Sequence, residues 1–206
     1  AYDVVATVEK SVSLLTLLSG PAAGVMGAVR QAGRSGYRNL ITLDIGGTSA
    51  DIGVVTNGHF EEASARDTFV AGYPILVPMI DLHTIGAGGG SIAHIDDSGM
   101  LRVGPRSAGA DPGPACYGKG GKEPAVTDAQ VVLGRLDPEH FLGGDLKIDP
   151  ALSHKAIDEY IAKPLGLSVK DAALGILRVI NNNMALAINA NSVAKGIDPR
   201  NFTLMG

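Results

Sequence analysis

Between Asn39 and Val55 an apolar run, Leu40-Ile41-Thr42-Leu43, is closed by Asp44, broken by Gly46-Gly47-Thr48 and resumed as Ile52-Gly53-Val54-Val55. Two short runs rich in β-branched residues around a glycine turn predict strand, tight turn, strand. Asn57-Gly58 predicts a hairpin turn into a third strand near residues 59–65. Upstream, residues 1–18 set Val4, Val5, Val8, Val12 and a leucine-rich end against Asp3, Glu9 and Lys10, which reads as a short helix and then a strand. Ser19-Gly20-Pro21 opens a helix with proline at its start and small residues through its first turns, ending near Gly33 and Gly36.

Residues 74–85 read as irregular and then extended. Alternation there sets Asp81, His83 and Ile85 on one face and Leu82 and Thr84 on the other. Residues 92–95 and 101–103 flank Asp97-Ser98-Gly99 as a hairpin, and residues 104–124 hold four of the eleven prolines without periodicity, a long loop. The rest is helical. Thr127 with Gln130 forms a capping-box pattern, Asp149-Pro150 starts a helix to about Ile161, and Ser168 with Asp171 opens a long one to about Lys195. Leu174, Leu177, Ile180, Met184, Leu186 and Ile188 nearly encircle that last helix, which predicts burial between neighbours. Its amides, Asn181, Asn182, Asn183, Asn189 and Asn191, fit either a solvated surface or hydrogen bonds across an interface.

At 206 residues the chain can bury a sizeable core as one domain, or one domain with an insertion. Its 17 basic and 21 acidic residues are spread evenly, which argues against a nucleic-acid or anionic-membrane surface. No apolar run approaches the ~20 residues of a membrane helix and no secretory pattern opens the chain, so a cytoplasmic protein is expected. A single cysteine, Cys116, permits no internal disulfide; as a nucleophile it is outweighed by the commoner small buried or loop residue. The 28 glycines cluster in loops between apolar runs rather than in a repeat.

The chemistry concentrates at the first hairpin. Gly46 and Gly47 lack a Cβ, so their N–H groups can approach an anion, and the Thr48 hydroxyl can donate a further bond. A carboxylate such as Asp44 beside a phosphate calls for a cation between them, for which Mg²⁺ is the usual choice. The same residues fit an ordinary hairpin whose Asp44 caps the turn. Asp81 and His83, two apart on one strand face, are candidate catalytic groups that fit a shared metal or water, or a pair orienting the loop that follows. That loop, with Gly88, Gly89 and Gly90 in succession, fits a second ligand-contacting segment, a hinge or a tight crossing of chains.

Leu17-Leu18-Ser19-Gly20-Pro21-Ala22-Ala23-Gly24-Val25, Asp44-Ile45-Gly46-Gly47-Thr48-Ser49-Ala50-Asp51, the run from His83 to Ser91, and Asp111-Pro112-Gly113-Pro114-Ala115-Cys116-Tyr117-Gly118 together resemble the hydantoinase A/oxoprolinase family. That family lies within the actin-like ATPase superfamily, and the resemblance covers nearly the whole chain. It implies an α/β, ribonuclease H-like domain of mixed sheet and packing helices, one half of an actin-like ATPase over residues 1–206, with a glycine/proline-rich insertion at about 67–150. It implies an enzyme that uses ATP and Mg²⁺ to open cyclic amides such as hydantoins or 5-oxoproline by phosphorylating a substrate oxygen, or a related ketone carboxylase subunit. Asp44 would hold Mg²⁺ through water; Gly46, Gly47 and Thr48 would bind phosphate; Gly88, Gly89 and Gly90 would form a second contact. Asp51 is expected to fix the hairpin, and Asp111, Cys116 and Tyr117 are candidates for a substrate cleft. A hydantoinase B-type subunit or fused domain, and oligomerisation, are the implied partnerships. The opening Ala1 and the closing strand into Gly206 are expected to mark a piece of a longer chain that alone turns over no ATP. A chaperone-type or sugar-kinase-type ATPase half is the alternative.

Overall fold

The computed structural model describes residues 20–60 and 80–206 in full, and the backbone alone at 19, 62–63, 69–70, 73–74 and 79. The helix and strand expected within 1–18 lie outside the described residues. In chain order the elements are α1 (Ser19–Arg34), β1 (Leu40–Ile45), β2 (Ala50–Thr56), β3 (His59–Phe60), β4 (Glu62–Ala63), β5 (Phe69–Val70), β6 (Tyr73–Pro74), β7 (Met79–Ile80), β8 (Leu82–Ile85), β9 (Ser91–Ile95), β10 (Leu101–Ser107), α2 (Val126–Val132), α3 (Pro150–Ile157), α4 (Val169–Val193) and β11 (Thr203–Met205). The result is a mixed α/β fold that divides into two compact units. Unit 1 holds Ala1–Asp44, Asp51–His83 and Ile188–Gly206; unit 2 holds Ile45–Ala50 and Thr84–Ala187.

Unit 1 is built on a sheet ordered β11-β1-β2-β3, with β8 also paired to β2. β11 runs parallel to β1, with Leu40 opposite Thr203 and Thr42 opposite Met205. Leu40, Ile41 and Thr42 are all buried, so β1 is covered on both faces, as a strand beside a parallel neighbour usually is. β2 and β3 form the expected hairpin. Asn57 and Gly58 take φ of 54° and 81°, the left-handed pair that matches the twist of adjoining strands. Helix α1 buries Val25 and Ala32, with Ala22 and Val29 beside them, against Leu40, Val55 and Ile80. Its end follows from Gly36 at φ 83°: Tyr37 N–H reaches back to Ala32 O (3.0 Å) and Gly36 N–H to Gly33 O (3.2 Å), satisfying carbonyls that the helix would otherwise leave unpaired.

Unit 2 combines the β9–β10 hairpin with helices. Leu101 pairs with Ile95 and Val103 with Ala93. At its tip the Asp96 carboxylate accepts Ser98 N–H (3.0 Å) and Met100 N–H (2.9 Å), with Gly99 at φ 78°. β10 runs on to Ser107, so the expected loop from residue 104 begins later, and Ala115–Tyr117 adds a 3-10 turn within it. Asp149 caps α3 as expected, accepting Ala151 N–H at 2.8 Å, with Pro150 in the first turn. That helix does not stop near Ile161; it passes through a π turn, Asp158–Ala162, and ends at Leu165 before Gly166 at φ 65°.

Two helical expectations are corrected. Thr127 lies inside α2 rather than at its cap, and Gln130 does not return to it; Asp128 instead accepts Ala125 N–H at 2.9 Å. The last helix is not encircled by neighbours along its length. Ala172, Ala173, Ile176, Leu177 and Ile180 form a one-sided buried stripe at helical spacing, whereas Leu186 and Val193 are exposed. Ser168 and Asp171 cap it reciprocally: Ser168 Oγ donates to Asp171 Oδ2 (2.6 Å) and accepts Asp171 N–H (3.1 Å).

Candidate phosphate-binding site

The turn between β1 and β2, residues 46–49 of unit 2, closes on itself: Gly46 N–H donates to Ser49 O at 2.8 Å. The Gly46 amide is therefore committed to the turn. Gly47 and Thr48 N–H make no hydrogen bond to another described residue, and a Cβ placed on Gly47 would meet nothing within 4 Å. Two adjacent amides are thus unpartnered among the described residues, with open space beside Gly47, while the Thr48 nitrogen lies close to Gly88 and the Thr48 hydroxyl lies 3.4 Å from Ser107 Oγ. Free N–H groups in succession are what an anion needs.

The glycine loop of residues 88–90 holds this turn from behind. Gly89 N–H donates to Gly46 O (3.0 Å) and Gly90 N–H to Gly47 O (2.6 Å). A Cβ on Gly88 would lie 2.7 Å from Gly46 O, Gly47 C and Thr48 N, and one on Gly90 would lie 2.9 Å from Gly47 O. None of these three glycines has positive φ. At Gly88 and Gly90 glycine is required because two backbones touch, so of the three possibilities left open by the sequence the structure shows a tight crossing. The loop is fixed in turn by Ser91, whose Oγ accepts Gly88 N–H (2.8 Å), and by Thr127, whose N–H and hydroxyl both donate to Gly89 O at 2.8 Å. Thr127 thus spends its hydroxyl on the loop.

Next to Thr127, Asp128 is fully buried and gathers four donors: Ala115 N–H (3.1 Å), Cys116 N–H (2.8 Å), Ala125 N–H (2.9 Å) and Ser153 Oγ (2.7 Å). This carboxylate pins the Asp-Pro-Gly-Pro-Ala-Cys-Tyr segment to α2 and α3. Cys116, buried, and Tyr117, half-buried, pack with Val131 and Ile148, while Asp111 is exposed. Burial, with Asp128 beside it, pushes the Cys116 thiol up to about 12, far from the range in which a thiolate attacks. At pH 8 the native protein should therefore leave the Cys116 peptide unlabelled by a disulfide reagent over a period that labels it fully in denaturant. Equal labelling rates by mass mapping would put the thiol at the surface.

In unit 1, Asp44, one residue before the end of β1, is exposed, and with Asp51 it lines a cavity of about 230 Å³ beside Gly24 and Leu82. Among the described residues that line the cavity none is basic. Asp51, expected to serve the hairpin alone, is half-buried in the same wall. Asp81 and His83 are not partnered with each other: the Asp81 carboxylate pairs with the Lys195 ammonium, both about one-third exposed, and His83 is exposed. Among the described residues no three His, Cys, Asp or Glu side chains come together as a metal cluster. Lys195, Ser107 and Asp128 were invisible as candidates in the sequence. Lys195 sits just past a helix end and Asp128 inside an apparent capping box, and neither carries a local signal of its distant partners.

A hydantoinase/oxoprolinase family profile matches residues 4–206. The chain is 48% identical over 198 residues to caprolactamase subunit alpha of Pseudomonas jessenii, covering 96% of this chain and 28% of that protein. It is 39% identical over 194 residues to 5-oxoprolinase of Saccharomyces cerevisiae, covering 89% of this chain and 15% of the relative. Among solved structures it superposes on the ATP-dependent caprolactamase of P. jessenii with a TM-score of 0.83 at 47% identity, over 93% of this chain and 28% of that one. On nucleotide-free acetone carboxylase the TM-score is 0.82 at 35% identity, over 92% and 26%. The chain thus spans about a quarter of the relatives' length or less.

Proposed function

The chain belongs to the hydantoinase/oxoprolinase family, and from that premise we propose that it supplies the phosphate-binding part of an ATP-dependent enzyme that opens cyclic amides. The observation that carries the proposal is the turn of residues 46–48, with two amides unpartnered among the described residues, a threonine hydroxyl next to them and a backbone brace that holds the turn. Preorganised donors of this kind stabilise charge without reorganising during the reaction. Bound ATP supplies a phosphoryl group that turns a substrate oxygen into a leaving group, and Mg²⁺ supplies charge neutralisation.

The chain's own part is positioning. Gly47 and Thr48 N–H and the Thr48 hydroxyl bind phosphate oxygens, and Gly46 holds the turn closed. Asp44, with Asp51 in the same cavity wall, offers hard oxygen ligands suited to a hydrated Mg²⁺, which usually keeps several waters and takes one or two carboxylates. Gly88, Gly89 and Gly90 act through the turn by fixing its backbone. Asp81 is a candidate through its pair with Lys195, and His83 through its exposure beside it.

The sheet order β3-β2-β1-β11, with β11 parallel to β1, supports a ribonuclease H-like, actin-like half over residues 1–206. The insertion expected at about 67–150 falls mostly within unit 2, whose compactness supports it. Among the described residues no helix is long and apolar enough to cross a membrane; a cytoplasmic location is part of the same proposal. The caprolactamase relative is named as an alpha subunit, which supports a hydantoinase B-type subunit or fused domain, and further oligomerisation, for this protein too.

Phosphate release by the intact protein with Mg-ATP should rise on adding a lactam from a panel of hydantoin, 5-oxoproline and caprolactam. Asp44→Asn should raise the Mg²⁺ needed for half-maximal rate at least tenfold, because the amide keeps the shape and loses the charge. Hydrolysis indifferent to every cyclic amide would point to the chaperone-type or sugar-kinase-type alternative. An unchanged Mg²⁺ requirement would remove Asp44 from the metal site.

A further inference from the structure

We propose that Ser107 is a positioning residue for phosphate binding: it donates its proton to Thr48 Oγ1 and so commits the Thr48 proton to the bound anion. The inference rests on the phosphate-binding reading of residues 46–48.

Ser107 ends β10 opposite Ser91, and the next residue, Ala108, donates its N–H to Gly90 O at 2.8 Å. The segment that begins the Asp-Pro-Gly-Pro stretch is thereby laid on the glycine loop, which is itself laid on the turn. Within this stack Ser107 Oγ accepts Gly109 N–H at 3.1 Å and lies 3.4 Å from Thr48 Oγ1. Gly90 must be glycine partly for this contact, since a Cβ there would sit 2.8 Å from Ser107 Oγ.

A hydroxyl has one proton and two acceptor lone pairs. With one Ser107 lone pair taken by Gly109, the two hydroxyls can be ordered in either direction. If Thr48 donates to Ser107, the Ser107 proton has no acceptor among the described residues, and the anion loses a donor. If Ser107 donates to Thr48, every proton is used: Gly109 N–H to Ser107, Ser107 to Thr48, Thr48 to an anionic oxygen. A bond to an ionised acceptor is roughly twice as strong as a neutral one, and bonds in series polarise one another, so the bound anion selects the second order. The 3.4 Å separation is at the long end for hydroxyls, and such contacts commonly tighten when the charged ligand is in place.

A double-mutant cycle on the intact protein, read as the Kd of Mg-ATP by calorimetric titration, tests this. Thr48→Val, which keeps the shape and removes the hydroxyl, should weaken binding about 10- to 100-fold. Ser107→Ala should weaken it several-fold when Thr48 is present and have no further effect with Thr48→Val; Ser107→Thr, which retains a hydroxyl, should restore most of the loss. An equal penalty for Ser107→Ala in both backgrounds would show that Ser107 serves only Gly109, overturning the proposal while the phosphate reading stands. Ser107→Ala without any effect, beside a weakened Thr48→Val, does the same. An unchanged Kd for Thr48→Val removes Thr48 from the phosphate site and the proposal with it.

Discussion

Asp128→Ala is expected to destabilise the protein by about 3–5 kcal/mol, enough to remove a large part of a typical stability of about 5–15 kcal/mol. The carboxylate is fully buried, and each of its oxygens accepts two bonds: Oδ1 from Cys116 N–H and Ser153 Oγ, Oδ2 from Ala115 N–H and Ala125 N–H. Alanine leaves three buried amides and a hydroxyl without their acceptor. Each such group costs roughly 1–3 kcal/mol when orphaned, and a water entering the vacated space recovers part of the sum. Asp128→Asn fares little better, because its amide nitrogen must point at two donors whichever way it is turned. Ser153→Ala removes one donor of the four and should cost only about 1 kcal/mol. Urea denaturation followed by helical ellipticity measures all three. A loss below about 1 kcal/mol for Asp128→Ala would mean that the Asp-Pro-Gly-Pro segment is held by something other than this carboxylate.

The parts of the fold legible in the sequence are those whose cause is local. A β-branched run broken by Gly46-Gly47 specifies a hairpin within a dozen residues, and Asn57-Gly58 specifies its neighbour through two positive φ angles. Asp149-Pro150 and the Ser168/Asp171 pair cap helices with bonds that span only a few residues. What failed depended on partners far along the chain. Thr127 followed by Gln130 satisfies a local rule, yet the Thr127 hydroxyl has a better acceptor in Gly89 O, and the adjacent Asp128 takes the cap while collecting donors from residues 115, 116 and 153. The same holds for the candidate site. Asp44 and the turn could be singled out from their order in the chain, whereas the Asp81–Lys195 pair and the Ser107–Thr48 contact arise only when distant segments are folded together.

Gly88→Ala should lower turnover by about two orders of magnitude or more and also cost stability, although it adds a single methyl group. Its Cβ would lie 2.7 Å from three backbone atoms of the turn, Gly46 O, Gly47 C and Thr48 N. Ordinary carbon contacts begin at about 3.5 Å, so the two chains must part by most of an ångström. Backbone atoms cannot rotate aside as a side chain would. Parting them stretches or breaks the bonds from Gly89 N–H to Gly46 O and from Gly90 N–H to Gly47 O, which are what hold the Gly47 and Thr48 amides in place. Overpacking of this kind costs about 1–3 kcal/mol in stability, and a 1 Å displacement of a positioned group can cost about 100-fold in rate. Neighbouring glycines provide the controls. At Gly89 the added Cβ would meet only the Thr127 hydroxyl, at 3.1 Å, so alanine there should do less harm. At Gly47 it would meet nothing, so Gly47→Ala should melt like the parent, and any loss of ATP affinity in it would come from crowding of the ligand itself. Melting temperature and turnover measured on all three in the intact protein separate brace from contact. A Gly88→Ala protein with the parent's turnover and melting temperature would show that the glycine loop does not hold the phosphate turn.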